Sequence, residues 1–315
     1  MRSSELFLAS VVALSGMAMV GCGGGSNPDA AVAPDAPAMA RAMVGDSAAM
    51  AMPANTACVG SGVAPTPGAP TAGSITFTAL ALSSFPVAMG DVEVYPGPTI
   101  GATCTGDCIM GTTDAMGQLE VTLPADGWFG YRLQAAGAGS TASVPVLGQF
   151  YPWLAASGAG GDVEVTAISA SVADIIAGQL NRELNADTAA VSGSVRDCDR
   201  AEVANIRIRF FRGETEIVSG APSDTTSPRI TGLGDGAVPS ANRSGLTGYL
   251  GRFAGIVPAA GGEVRIEAWG VVEEGGSPVL VGCEEVLVEP GSVTVAIVPA
   301  LRGDYEAGNT CAGRM

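Results

Sequence analysis

Two carboxylate doublets, Glu273-Glu274 and Glu284-Glu285, are the most obvious groups for acid–base chemistry in this chain. A pair of carboxylates can hydrolyse a glycosidic bond with no other ionisable side chain. The pair must face one another, however, and neighbours on an extended strand project to opposite faces. Both doublets also adjoin glycine-containing turns, where solvated charge is the ordinary state. The Asp-Thr-Gly and Asp-Ser-Gly signatures do not occur. Other chemistry is limited by what the chain lacks. It has no His, and its 15 basic residues are all Arg. That excludes Ser-His-Asp and Cys-His relays, imidazole ligands for zinc, Schiff-base lysines, Ser-Lys dyads and the phosphate-loop lysine.

Acids outnumber bases 31 to 15, a net charge of -16, so no basic footprint exists for nucleic acid. Asp107 in Thr105-Gly106-Asp107 and Asp235 in Gly232-Leu233-Gly234-Asp235-Gly236 each place one carboxylate in a tight turn. Calcium takes about six to eight oxygens, and no local run supplies them. The glycine run is not followed by a helical pattern, so it is a poor phosphate loop. The sequence therefore predicts no enzyme, no metal site and no cofactor.

Aromatic residues suit glycan stacking and are few, 5% of the chain. Trp128, Phe129 and Tyr131 form one cluster, and Phe150, Tyr151 and Trp153 another. Trp128, Tyr151 and Trp153 are the candidate ligand surface, with core packing as the competing reading. Arg207, Arg209 and Arg212 form a basic stripe on one strand, suited to salt bridges with the acidic surface.

The elements that would position these groups begin after an address. Leu6 to Val20 is almost wholly apolar and too short to span a bilayer, which takes about 20 residues. It matches the core of a signal peptide. Met19-Val20-Gly21-Cys22 resembles the bacterial lipobox, in which the cysteine is lipidated and becomes the mature N-terminus. Gly23 after Cys22 then resembles an outer-membrane sorting signal. Residues 22–56 are rich in Ala, Pro and Gly and read as a flexible tether. Of seven cysteines, Cys22 leaves an even set, Cys58, Cys104, Cys108, Cys198, Cys283 and Cys311, suited to disulfides in an exported chain. Sequence alone leaves the pairing open. Cys104 with Cys108 closes a small turn, Cys198 with Cys283 staples one domain, and Cys58 and Cys311 remain near the two ends.

From Gly73 the pattern changes to period two. Ile75-Phe77-Ala79, Val92-Val94, Leu119-Val121-Leu123 and Phe129-Tyr131-Leu133 each mark a strand, as do Ile206-Ile208-Phe210 and Val264-Ile266-Ala268. Turns at roughly ten-residue spacing favour antiparallel sandwiches. Between residues 169 and 184 the period changes. Val172, Ile175, Ile176, Leu180 and Leu184 recur at helical steps, with Ser169 or Ser171 able to cap the start and Asn185 the end. Asp174 and Arg182 lie off that apolar stripe. Residues 220–245 are dense in Ser, Thr, Pro and Gly, a long loop around one short strand at Ile230 and the easiest place to build a binding surface.

Pro86-Val87-Ala88-Met89-Gly90-Asp91-Val92-Glu93-Val94, followed by Thr112-Thr113-Asp114-Ala115-Met116-Gly117-Gln118-Leu119, resembles the carboxypeptidase regulatory-like domain, a transthyretin-like sandwich. Asp114 can bond nearby amides while Gly117 takes a turn conformation closed to other residues. Val203-Ala204-Asn205-Ile206-Arg207-Ile208 and Thr247-Gly248-Tyr249-Leu250-Gly251 repeat the scheme, without the turn aspartate. The resemblance implies fold and an accessory or adhesive role; it carries no catalytic residues.

The expectation is an all-β chain: signal peptide 1–21, tether 22–56, β-sandwich 57–168, helical connector 169–188 and β-sandwich 189–315. Its expected role is a non-catalytic envelope lipoprotein, held to the membrane by lipid on Cys22 and interacting with envelope protein or polysaccharide. A carbohydrate-binding module is the alternative, and a carboxylate-only hydrolase the third reading.

Overall fold

The alternation Gln118-Leu119-Glu120-Val121-Thr122-Leu123 is realised directly: Leu119, Val121 and Leu123 are buried and the residues between them are exposed. The computed structural model describes residues 41–42, 54–59, 68–80, 85–97, 100–101, 103–125, 127–136, 143–152, 163–199, 201–233, 247, 251–272 and 276–300. Strand β1 (Arg41–Ala42) pairs in parallel with Val203–Ala204 of the second block. The first block contains β2 (Pro70–Leu80), β3 (Phe85–Pro86), β4 (Asp91–Pro96), β5 (Ile109–Thr112), β6 (Gln118–Pro124), β7 (Trp128–Leu133), β8 (Val146–Pro152) and β9 (Val163–Ile168). Helix α1 (Ala170–Gln179) follows. The second block contains β10 (Thr188–Val195), β11 (Val203–Ala204), β12 (Arg207–Arg212), β13 (Thr215–Glu216), β14 (Arg229–Gly232), β15 (Arg252–Pro258), β16 (Glu263–Gly270), β17 (Val279–Leu287) and β18 (Val293–Val298). The fold is all-β with one helix among the described residues.

The two blocks share one pairing scheme. β2 pairs antiparallel with β6 and parallel with β9; β10 pairs antiparallel with β15 and parallel with β18. β4 lies between β5 and β7, with β8 beyond β7; β12 lies between β13 and β16, with β17 beyond β16. Each block is therefore a sandwich with its own core. Ile75, Phe77, Leu123, Phe129 and Tyr131 fill the first, and Val191, Ile208, Phe210, Phe253 and Ile266 the second. Each such fully buried side chain contributes about 1.5–3 kcal/mol.

The sandwiches are fused. β18 pairs in parallel with β8, from Val293↔Val146 to Ala296↔Gln149, giving an eight-stranded sheet in the order β14-β15-β10-β18-β8-β7-β4-β5. Hydrogen bonding thus runs across the boundary expected at 169–188. Parallel neighbours need a long crossover instead of a tight hairpin. Within each block, the strands of the facing sheet supply that crossover between the first strand and the last.

The repeat extends to individual hydrogen bonds. Thr113 is buried; its hydroxyl accepts from the Gly90 amide at 2.9 Å and donates to the Val87 carbonyl. Thr247 is likewise buried; its hydroxyl accepts from the Ile206 amide at 3.0 Å and donates to the Val203 carbonyl at 3.3 Å. Between each pair of partners stands a residue in the left-handed region, Met89 (φ 57°) and Asn205 (φ 61°). Four residues after each threonine stands a glycine there too, Gly117 (φ 75°) and Gly251 (φ 65°). Asp114 Oδ1 accepts from the amides of Met116 and Gln118 at 2.8 and 2.9 Å, which sets the turn into β6.

Helix α1 starts where Ser169 accepts a hydrogen bond from the Val172 amide at 3.3 Å. It ends sooner than the apolar spacing suggests. Asn181 (φ 55°), not Asn185, takes the left-handed position, with Asn181 N–H bonded to Gly178 O at 3.0 Å and Arg182 N–H to Ala177 O at 2.9 Å. That double bond pattern closes the helix and turns the chain back. Ala173, Ala177 and Leu180 pack into the first core beside Ile256 and Val293 of the second block.

The cysteine pairing differs from the domain staple expected. Cys198 bonds to Cys58, at a sequence separation of 140, and Cys104 bonds to Cys108. Asn55 N–H donates to Asp197 Oδ2 at 3.0 Å and Asn55 Nδ2 to Asp199 Oδ1 at 2.9 Å, which brings the segment before Cys58 to the turn after β10. Cys283 is also disulfide-bonded, and Cys22 and Cys311 lie outside the described residues.

Candidate functional site

The loop from Gly220 to Pro228 folds over the end of α1, and its local bonds explain its shape. Asp224 Oδ1 accepts from Thr226 N–H at 2.8 Å, from the Thr226 hydroxyl at 2.9 Å and from Ser227 N–H at 3.1 Å. The Ser227 side chain, then the Thr226 and Ser227 amides, hold the Asp224 carboxyl well below the usual carboxylate range. Asn181 Nδ2 donates to Pro222 O at 3.0 Å and ties the loop to the helix cap. Gly220 leaves space that a side chain would fill: a Cβ there would lie 2.6 Å from Ser227 Cβ and 3.3 Å from Arg182 Nη2.

Between this loop, the α1 cap and the end of β15 lies a cleft of about 670 Å³. Arg182, Asn185, Thr188 and residues 225–228 line it together with the exposed acids Glu183 and Asp187, and the β15 residues Ile256 and Val257 behind it are almost wholly buried. Arg182 is buried, at 7% exposure, although its place off the apolar stripe suggested otherwise. The left-handed turn at Asn181 points it inward. Its Nε donates to Ser227 O and its Nη1 to Asn181 O at 2.8 Å, while Nη2 is buried without a hydrogen-bond partner. Arg229 is buried nearby; desolvation, and then the Arg182 charge, hold its guanidinium below its usual range. The Ser- and Thr-rich composition of 220–245 is the signal that marks this region in the sequence. Nothing in the spacing marks Arg182.

A second charged cluster lies at the junction of the sandwiches. Arg132 on β7 donates through Nη1 to Glu93 Oε2 and, at 2.8 Å, to the Tyr95 hydroxyl; through Nη2 it reaches Glu289 Oε1 at 2.8 Å. Burial pushes Glu93 up, but hydrogen bonds from Tyr95 and Arg132 outweigh it and hold Glu93 below its usual range. Burial and the Glu93 hydrogen bond push Tyr95 up to about 12. On the second sandwich Arg209 pairs with Glu216 and stands 5.0 Å from the Phe211 ring centroid. There Glu267 accepts from Arg265 Nε at 3.1 Å and from Trp269 Nε1 at 3.0 Å. These are paired structural charges. Of the basic stripe, Arg207 is exposed, and Arg212 bonds to Pro258 O at 2.7 Å.

The aromatic surface expected from the sequence is only partly described. Trp128 is half-buried and faces Pro152 across β7–β8, and Phe129 and Tyr131 are wholly buried. The side chain of Tyr151 and the whole of Trp153 lie outside the described residues, as do Glu273, Glu274 and Asp235. Glu284 is buried and Glu285 half-buried on β17. Among the described residues, no group of three or more Cys, Asp or Glu side chains could hold a metal ion, and no helix is long and apolar enough to cross a membrane.

No family model matches the chain, and no curated protein matches it. Among solved structures, the shaft pilin SpaA of Lactobacillus rhamnosus GG is 13% identical over 73% of this chain and 98% of its own, with a TM-score of 0.24. The minor pilin GBS52 of Streptococcus agalactiae is 11% identical over 73% and 96%, with a TM-score of 0.23. The Bacillus anthracis TIE protein is 12% identical over 73% of this chain, with a TM-score of 0.22, and the match spans 34% of that protein. Superpositions at these scores do not define a common fold.

Proposed function

We propose that this chain is an exported envelope lipoprotein, anchored through Cys22, whose fused sandwiches act as a non-catalytic scaffold and interaction module. The observation that carries the reading is the fusion of two copies of one sandwich through β18 and β8 into a single sheet. A continuous sheet resists hinge motion, and the ionisable groups at the junction are engaged with one another. Such an arrangement suits display of a surface near a membrane, with the residues between Cys22 and the strand at Arg41 as the tether. The turn at Asp114–Gly117 agrees with the resemblance to carboxypeptidase regulatory-like domains.

The test is expression of the full chain in a Gram-negative host fed an alkyne fatty acid, followed by envelope fractionation and crosslinking. The expected result is labelled protein in the outer membrane, crosslinked to an envelope protein or polysaccharide. Cys22→Ala should abolish both label and membrane retention. Unlabelled wild-type protein in the soluble fraction would overturn the anchor. The cleft beside α1 favours a second reading, a carbohydrate-binding module, because the exposed side chains of Thr225, Thr226 and Asn185 line it with hydroxyl and amide groups.

A further inference from the structure

We propose that the Val87–Met89 edge of the first sandwich takes an extended strand of a partner protein, small residues around one arginine, added as β1 is added to the second sandwich. This rests on the interaction-module reading and deepens it by naming where the partner docks and what it presents. It needs no lipid anchor, and it can fail while the anchor and the scaffold stand.

The two copies differ at one equivalent position. Val87, Ala88 and Met89 correspond to Val203, Ala204 and Asn205: each valine carbonyl accepts from a buried threonine, and each third residue is left-handed. The residue before each valine is matched too, since Pro86 pairs with Thr78 and Glu202 with Arg196. In the second sandwich β1 runs parallel to this segment, with Arg41 against Val203 and Ala42 against Ala204. Val203 and Ala204 are buried there, at 0% and 1% exposure. In the first sandwich no described strand occupies the matching place. Ala88 is exposed, Met89 is 72% exposed, and the Ala88 amide and carbonyl have no hydrogen-bond partner among the described residues. Open backbone of this kind is a template for strand addition.

The surroundings define the incoming strand. Met116 is 65% exposed, and its turn lies against this edge: a Cβ on Gly117 would stand 3.0 Å from Val87 N and 3.2 Å from Pro86 Cβ. Two flexible thioethers beside an open edge adapt to apolar side chains of different shape. Asp91, next to Gly90, and Asp114, next to the Thr113 that clamps Val87 and Gly90, are exposed; the second copy has Arg207 and Gly248 at those positions. The first edge therefore favours a cationic strand and disfavours an acidic one. Ala40-Arg41-Ala42-Met43 has that chemistry, one arginine among small and thioether residues. The chain's own copy of it is already engaged. Cys58–Cys198 and the bonds of Asn55 to Asp197 and Asp199 tie the chain after β1 to the second sandwich. The strand for the first sandwich must come from another protein.

The test is fluorescence anisotropy and photocrosslinking on the full chain carrying Cys22→Ala. The probe is the synthetic peptide Ala-Met-Ala-Arg-Ala-Met-Val, residues 38–44 of this sequence. It should bind saturably, and about tenfold or more tighter than the same peptide with glutamate in place of arginine. A benzophenone version should crosslink to residues 86–91 or to Met116. Ala88→Pro removes the open amide and should abolish binding. Asp91→Lys, at an exposed position, should cut the preference for arginine severalfold; it keeps the test decisive if Ala88→Pro fails to fold. Absence of saturable binding, equal affinity for the two peptides, or an unchanged preference in Asp91→Lys would overturn the proposal. So would crosslinks confined to residues 203–205, which would show exchange with β1. Self-association of the chain through residues 86–91 without peptide would put a second copy in the partner's place and overturn it as well.

Discussion

Glu93 and Arg209 occupy the same position in the two sandwiches and carry opposite charges. Each lies four residues beyond the left-handed residue of its copy, Met89 or Asn205, and each faces an oppositely charged cross-strand neighbour, Arg132 or Glu267. The polarity of the pair is reversed between the copies while the register is kept. In the first copy the arginine is the inner member and reaches on to Glu289 of the second block. In the second, Glu267 is the inner member and is held by Arg265 and Trp269. The reversal fits each face to what covers it.

Removing Arg132 should therefore weaken the junction more than a surface ion pair would. Arg132→Ala strands Glu93 and Glu289, and the expected loss is about 3 kcal/mol, at the lower end for a broken buried pair because Glu289 keeps a third of its exposure. Urea denaturation measures it. A double-mutant cycle with Glu289→Gln should give a coupling of about 1 kcal/mol or more.

The junction cluster and the Arg209–Glu216 pair together make stability depend on pH at both ends. Glu93 titrates lower in the folded chain than in the unfolded one, and so does Glu216, through its hydrogen bond with Arg209. Their contribution is fully present above the ordinary glutamate range and is lost as pH falls through the lowered folded values. Tyr95 is raised from 10.0 to about 12, so its contribution is present below pH 10 and is lost as pH rises towards 12. Tyr95→Phe should flatten the alkaline limb of a denaturation profile, and Glu93→Gln the acid limb. An unchanged acid limb in Glu93→Gln would show that other carboxylates govern it.

The two buried threonines should behave alike. Thr113→Val and Thr247→Val each leave a buried amide and carbonyl unsatisfied, a loss of about 1–3 kcal/mol. Gly117→Ala should be worse than Gly106→Ala. A Cβ on Gly117 would lie 2.5 Å from Phe77 O, whereas nothing lies within 4 Å of one on Gly106. Both lose left-handed freedom, about 1–2 kcal/mol, and only Gly117 adds a clash. Thermal melts of the four variants should show that order.

Peptide mapping without reduction should recover Cys58–Cys198 and Cys104–Cys108, and should join Cys283 to Cys311, the cysteine left when Cys22 carries lipid. Losing the 140-residue link should cost about 5 kcal/mol and the four-residue link about 2, since chain entropy grows with the loop closed. A free thiol at Cys283 in the secreted protein would contradict this pairing.

What could be read directly was local. Asp114 and Gly117 specify their turn because the carboxylate and the glycine backbone act within four residues of each other. Ser169 marks the helix start for the same reason, and the repeat of Val87-Ala88-Met89 as Val203-Ala204-Asn205 is visible because each threonine clamp needs the same tight turn. Strand periodicity gave the all-β class. Even so, Asn181 and not Asn185 ends the helix: both are asparagines able to take the left-handed position, and packing of Leu180 into the core chooses between them.

The remaining features depend on residues far apart in the chain. The parallel seam of β18 on β8 leaves no trace in periodicity, because strand patterning records which face is buried and not which edge is paired. Cys198 had several geometrically reasonable partners, and the closeness of Asn55 to Asp197 and Asp199 selects Cys58. Arg182 looks like an ordinary surface arginine until the left-handed turn before it swings it under the 220–228 loop. Burial of a charge is a property of everything packed around it, so only the fold makes that arginine an interior group.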